Sequence, residues 1–233
     1  MIENYSRTAY QPSIEQTVSA VMKRVYLKMT LALVVTALVS LYCAGSSAYM
    51  NFVLMNRWAM FGLMIVELGI VLGVSGAINK LSSGVATGLF YLFAVVNGLM
   101  LAPVFLIYTG ASIAKTFFIT AGTFGAMSVY GYFTEKDLSR FGSILIMALL
   151  GLIVCSLVNI FLKSSGLDWI ISGVGVLLFI GLTAWDTQQI KNMAAVSPGA
   201  GVGRLATLGA LSLYLDFINL FLYLLRFFGS SRD

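Results

Sequence analysis

Seven long apolar runs dominate this 233-residue chain, and they limit the kinds of fold that it can adopt. Only 10% of its residues are charged, and most of these lie between the runs. A soluble domain carries about 25% charged residues, whereas a helix that crosses a bilayer needs about 20 mostly apolar ones. The sequence therefore predicts an all-α integral membrane protein with seven transmembrane helices. The predicted spans are Leu27–Ala44, Trp58–Ile78, Val85–Tyr108, Ile113–Phe133, Phe141–Leu162, Trp169–Gln188 and Ala206–Phe228.

Little of the chain is left outside the membrane by this pattern. A polar amino-terminal segment, residues 1–26, precedes a membrane bundle over residues 27–228, and residues 229–233 form a short tail. The longest connection contains residues 197–201, which are small and rich in glycine. Such a loop is either a hinge between the last two spans or only a connector.

The basic residues predict which side of the membrane each end occupies. With a cytoplasmic amino terminus, nine of the 14 Lys and Arg residues fall on the cytoplasmic side of seven spans. Cytoplasmic loops carry an excess of Lys and Arg, so we expect this orientation, with the carboxyl terminus outside. A six-span arrangement with a re-entrant last segment stays open, and it would place both ends inside.

Several function classes are disfavoured by composition. There is no histidine, and both cysteines lie in apolar runs, so we expect no zinc or copper site and no bound cofactor. The net charge of +5 is scattered over short loops, which does not indicate a nucleic-acid partner. An intramembrane aspartyl protease needs two membrane aspartates in Tyr-Asp and Gly-x-Gly-Asp motifs. Here Trp185 and Leu215 precede the two candidates, so we expect no enzyme.

Two carboxylates in the last two spans are the main candidates for a functional site. Asp186 lies near the inner end of the sixth predicted span, and Asp216 lies about 15 Å into the seventh. An ionisable group in hydrocarbon costs about 2.5–3.5 kcal/mol on insertion scales, so it usually faces a cavity or a partner. The two could meet if the helices pack. They could also be unrelated, with Asp186 at the headgroups.

A paired arrangement has defined chemistry. Two carboxylates at hydrogen-bonding distance in a low dielectric cannot both ionise cheaply, so the pair shares a proton. Loss of that proton leaves two repelling anions whose oxygens are ligands for a hard cation such as Ca²⁺. The residues therefore favour a pH-gated cation path, with Asp186 and Asp216 as sensor and as transient calcium ligands. Glu67, in the middle of the second span, either bonds a neighbouring helix or lines a water-filled path.

The last spans resemble a known family. The run ALSLYLDFINLF at residues 210–221, followed by LLRFFG at 224–229, closely resembles the carboxyl-terminal signature of the Bax inhibitor-1 family. DTQQI at 186–190 is similar to the sixth-span aspartate motif of that family, and Glu67 and the stretch from Gly98 to Pro103 are similar to it as well. The likeness covers about residues 20–229.

The resemblance implies a seven-helix fold whose last helix is central and wrapped by the other six. It also implies a pH-sensitive calcium leak channel, with Asp186 and Asp216 as the proton sensor. The compact chain is similar to the bacterial branch, which implies the cell inner membrane, with the lipid bilayer and calcium ions as partners. Some bacterial relatives instead restrain a membrane-anchored protease, so a non-conducting interaction protein that uses residues 1–22 is the alternative. Those residues could equally be disordered.

One position departs from the family pattern. Members of the family can latch the aspartates with an arginine at the inner end of the second span. Counted without gaps from Glu67, that position falls on Ile78, with Asn79 and Lys80 following. Lys80 is the candidate substitute, although its ammonium group cannot hold two carboxylates in a bidentate fork.

Overall fold

The computed structural model describes residues 13–77, 80–196 and 202–230, and within these ranges every regular element is a helix. This confirms the all-α prediction. The helices are α1 (Ile14–Ala44), α2 (Ser47–Met55), α3 (Arg57–Ala77), α4 (Ser83–Leu101), α5 (Val104–Ile107), α6 (Gly110–Phe133), α7 (Ser139–Leu162), α8 (Ser165–Val196) and α9 (Val202–Phe228).

Six segments in the described part of the chain are long and apolar enough to cross a membrane. They are α1, residues 58–77 of α3, α4 with α5, α7, α8 and α9. The fourth predicted span corresponds to α6, which has 24 residues but does not reach the same apolarity. Its buried positions explain the difference, because they are mostly small and polar: Ser112, Thr116, Thr120, Ser128 and Gly131, with Phe124.

Several helices extend beyond the predicted spans. α1 begins 13 residues before Leu27, where Ser13 accepts a hydrogen bond from the Gln16 backbone and the Gln16 side chain bonds back to Ser13. This capping box fixes the helix start. With 31 residues α1 is about 46 Å long, which exceeds the roughly 30 Å hydrocarbon core. Much of the predicted polar segment 1–26 is therefore helical.

The third predicted span is broken near its end. α4 stops at Leu101 and α5 resumes at Val104, with Ala102 and Pro103 in a turn between them. Proline cannot donate a backbone hydrogen bond, which explains the break in the helix at Pro103. The proposed hinge at residues 197–201 lies outside the described residues.

α9 is the most buried of these six segments, with two thirds of its most apolar stretch inside the protein. It packs against α8, α1, α6 and α4, and its side chains Leu213, Tyr214, Leu220 and Leu225 lie in the core. α3 packs mainly on α4 and α7 mainly on α8, and both expose most of their surface. The carboxyl-terminal helix therefore contributes more buried residues than any other described helix, and it carries Asp216 of the candidate site.

Candidate functional site

The structure brings Asp186 and Asp216 together. α8 and α9 are close neighbours along much of their length, and the two carboxyl groups are within hydrogen-bonding contact. Asp216 is only 4% exposed, whereas Asp186 is partly buried. Because two carboxylates in contact cannot both carry charge at low cost, this geometry requires one proton to be shared. The functional roles of the two residues stay predictions.

A cavity of about 620 Å³ adjoins the pair. It lies between α7, α8 and α9, and its wall on α7 is mostly aliphatic. Its polar lining residues are Ser156, Asp186, Ser212, Asp216, Asn219 and Tyr223. A space of this size, with polar groups on one side, can hold several water molecules. The carboxyl pair therefore borders a space large enough for water.

Asp216 and both sequence neighbours of Asp186 have a buried polar atom without a hydrogen bond to the described residues. Oδ2 of Asp216, Nε1 of Trp185 and Oγ1 of Thr187 are buried and make no hydrogen bond within the described part of the chain. Buried polar groups are nearly always bonded, so such atoms need either water or a second arrangement of the helices. Trp185 and Thr187 flank Asp186 in sequence, but successive helical residues point about 100° apart, so Oδ2 of Asp216 is the atom of the three that belongs to the carboxyl pair.

Glu67 lies in a separate polar network. Asn97 Nδ2 donates to Glu67 Oε1 at 2.9 Å, and the Tyr214 hydroxyl donates to Asn97 Oδ1 at 3.1 Å. The Tyr214 hydroxyl also lies 2.6 Å from Thr36 Oγ1, which donates to the Ala94 carbonyl at 2.8 Å. The network joins α3, α4, α9 and α1. Of the two interpretations of Glu67, the structure shows the hydrogen bond between helices, and it does not join Glu67 to the aspartate pair.

The candidate latch lies elsewhere. Lys80 is exposed in the turn between α3 and α4, and it does not line the cavity at Asp186. Ile78 and Asn79 lie outside the described residues.

Sequence reasoning missed a different cation, Lys28. Its Nζ donates to Thr207 Oγ1 at 2.6 Å and to Thr87 Oγ1 at 2.7 Å, with the Gly203 carbonyl at 3.4 Å. These bonds tie α1 and α4 to the start of α9. The signal was available, because a lysine in the second position of a predicted apolar span needs polar partners.

The carboxylates do not form a dense metal cluster. No group of three or more His, Cys, Asp or Glu side chains with metal-site spacing occurs among the residues that the structure describes. Ca²⁺ takes six to eight oxygens, and Asp186 and Asp216 supply four at most. Two aspartates alone therefore leave at least two positions of a Ca²⁺ coordination shell to other ligands.

Comparison with known proteins gives a consistent assignment. The family model for the inhibitor of apoptosis-promoting Bax1 matches residues 18–233. The inner membrane protein YbhL of Escherichia coli (strain K12) is 50% identical over 214 residues, which cover 91% of this chain and 92% of YbhL. Protein RP147 of Rickettsia prowazekii is 41% identical over 227 residues, which cover 97% of this chain and 96% of RP147. The chain is a multi-pass membrane protein that belongs to the Bax inhibitor-1 family.

Proposed function

We propose that this protein is a proton-regulated cation leak protein of the inner membrane, with Ca²⁺ as the cation and Asp186 and Asp216 as its proton sensor. The observation that carries the proposal is the contact between the two carboxyl groups beside a cavity. The resemblance to the family suggests calcium, and the name of the relative YbhL supports the inner membrane.

The mechanism starts from the shared proton. With the proton in place, one carboxyl donates to the other and holds α8 against α9. When the proton leaves, two anions face each other in a low dielectric, and their repulsion favours separation of the helices. The separated carboxylates then present oxygens to a cation entering from the cavity. Higher pH therefore favours the open state.

The topology proposed for this function has seven crossings, with α6 as the seventh and α9 at the centre. The 24 residues of α6 span about 36 Å, enough to cross the bilayer, and its polar face packs on α8 and α9 rather than facing lipid. The basic-residue pattern supports an amino terminus in the cytoplasm and a carboxyl terminus outside.

Flux through purified protein in liposomes tests the proposal. Ca²⁺ entry into proteoliposomes should rise between pH 6 and pH 8, and Asp186→Asn and Asp216→Asn should each flatten this dependence. Asp168→Asn is the matched control, because Asp168 is an exposed aspartate of α8 that pairs with Arg226. It should leave the pH profile unchanged. Flux equal to that of empty liposomes at every pH would contradict the proposal.

Lys80 is tested in the same assay. If this lysine supports the closed state, Lys80→Gln should raise Ca²⁺ entry at pH 6 and leave entry at pH 8 unchanged. Equal profiles for Lys80→Gln and the wild type would assign it no part in closure.

A second candidate function is a non-conducting regulator of a membrane-anchored protease. The projection of α1 beyond the predicted first span favours it, because the exposed positions near Ile14 are free to contact a partner. This function predicts that a protease co-purifies with the protein and is lost when residues 1–22 are deleted. Asp186→Asn and Asp216→Asn should not affect that association.

A further inference from the structure

A groove runs between the first half of α1 and the last half of α6. Both helices pack on α8 and α9, but they do not pack closely on each other. The space between them is a cavity of about 680 Å³ lined by residues of both helices. Since α6 ends where α1 begins, the mouth of this groove is at the end of the protein that holds the amino terminus.

The polar groups of the groove are arranged by depth. Lys23 is exposed at the mouth and makes no ion pair within the described part of the chain. Tyr132 and Phe133 of α6 line the same end of the groove. The mouth therefore combines an exposed cation with aromatic rings, the composition found at membrane interfaces.

One turn deeper, Ser128 presents a hydroxyl that no group of the described chain satisfies. Its side chain is 5% exposed and its Oγ makes no hydrogen bond. Other buried hydroxyls differ: Thr120 donates to the Thr116 carbonyl at 2.8 Å, and Thr183 donates to the Phe179 carbonyl at 2.7 Å. Ser128 lines the groove with its Oγ covered, so a ligand reaches this hydroxyl when the side chain turns toward the groove.

The groove beyond Ser128 is apolar. Phe124 and Gly125 of α6 line this part, with the ring of Tyr26 on α1. A Cβ placed on Gly125 would meet no atom within 4 Å, so the groove is open at this level. A ligand that fits the whole groove must carry an anion, then a hydrogen-bond acceptor, then an apolar chain.

We infer that this groove binds one anionic phospholipid from the leaflet on the amino-terminal side. Its phosphate would lie at Lys23, an ester carbonyl would accept from Ser128, and an acyl chain would lie along Gly125. The unpaired charge of Lys23 argues for an anionic headgroup, since each Lys or Arg near a membrane surface contributes a measurable attraction to anionic lipid. The site involves neither Asp186 nor Asp216, so it does not rest on the proposed channel function.

Native mass spectrometry of the detergent-solubilised full chain tests the inference. The probes are phosphatidylglycerol and phosphatidylcholine with identical acyl chains, added at equal concentration. The wild type should retain one phosphatidylglycerol in preference to phosphatidylcholine, and Lys23→Gln should weaken phosphatidylglycerol binding about fivefold. Ser128→Ala should weaken the binding of both lipids, because both carry ester carbonyls.

Two matched controls separate a site from a general surface effect. Arg24→Gln removes the same charge from the neighbouring exposed position and should leave the preference unchanged. Gly125→Phe should fill the groove and abolish retention of either lipid. Gly122→Phe is the control, because Gly122 is exposed on the same helix and a Cβ there also meets no atom within 4 Å. This variant should retain lipid as the wild type does.

Three results would overturn the inference. They are equal retention of the two lipids by the wild type, an equal loss in Arg24→Gln and Lys23→Gln, and retention that persists in Gly125→Phe. Asp216→Asn should bind phosphatidylglycerol as the wild type does, so the outcome is independent of the flux assay.

Discussion

Tyr214 and Asp216 lie two residues apart on α9 and face opposite sides of that helix. The hydroxyl of Tyr214 bonds Asn97 and lies 2.6 Å from Thr36, whereas the carboxyl of Asp216 meets Asp186. Two residues correspond to about 200° of rotation in an α-helix, so the separation follows from helix geometry. α9 thus carries two polar sites at one depth. A shift of α9 away from α8 must also strain its bonds to α1 and α4.

Removing the Tyr214 hydroxyl tests how strongly this second site holds α9. Tyr214→Phe leaves the ring and its edge contacts with Phe90 and Phe93 but deprives Asn97 Oδ1 of its donor. Hydrogen bonds between membrane helices contribute about 0.6–1.7 kcal/mol, and a buried unpaired acceptor adds to that cost. We expect the free energy of unfolding in detergent to fall by about 1–2 kcal/mol.

Tyr91→Phe is the control for this change. Tyr91 is a partly buried tyrosine of α4, and its hydroxyl makes no hydrogen bond to the residues that the structure describes. Tyr91→Phe should have the same free energy of unfolding as the wild type. A Tyr214→Phe protein as stable as Tyr91→Phe would mean that the network contributes nothing to holding α9.

Lys28 should hold the start of α9 in a similar way. Lys28→Met keeps the length of the side chain and removes the donors to Thr87 and Thr207. The two threonines keep each other at 3.0 Å and keep their bonds to Ser83 and Gly203, so the loss is limited. We expect the free energy of unfolding to fall by about 2 kcal/mol, which is within the range for hydrogen bonds to charged groups. Denaturant unfolding in detergent measures this change.

Lys136→Met provides the comparison, because Lys136 is exposed and makes its described hydrogen bonds only through its backbone. A similar loss in both variants would show that the effect comes from net charge and not from the contacts of Lys28.

Sequence reasoning predicted most of the spans because hydropathy is a local property. Its weakest case was α6, where hydroxyl side chains such as Thr116 and Thr120 face the interior and lower the apolarity of the helix. Depth left the proximity of Asp186 and Asp216 open, because the sequence places Asp186 near the inner end of a predicted span that in the structure continues to Val196. The hydrogen-bond partners could not be predicted either. Asn97 as the partner of Glu67 depends on how α3 is rotated against α4, and Thr207 as the partner of Lys28 depends on how α9 is rotated against α1. These rotations are set by packing of the whole bundle, which no single span encodes.

The contact between α6 and α8 depends on a glycine. A Cβ on Gly131 would collide with the backbone carbonyl of Ala184, and a backbone carbonyl in a helix cannot move aside. Gly131→Ala should therefore push α6 from α8 near the aspartate pair and lower stability by about 3 kcal/mol. Gly122→Ala, which meets no atom within 4 Å, should be neutral or stabilising because alanine favours the helix. Thermal unfolding in detergent compares the two, and an equal melting temperature would contradict the packing seen at Gly131.

The number of crossings determines where the ends of α6 and α9 lie. If α6 crosses the bilayer, residue 135 lies on the same side as the amino terminus and residue 230 lies on the opposite side. Single cysteines, Glu135→Cys and Ser230→Cys, can be placed in a chain whose native Cys43 and Cys155 are replaced by alanine. In spheroplasts, a membrane-impermeant maleimide should label position 230 and leave position 135 unlabelled until the cells are lysed. The reverse pattern is expected from six crossings with α6 outside the hydrocarbon core, because the α6–α7 loop would then be external and the carboxyl terminus cytoplasmic.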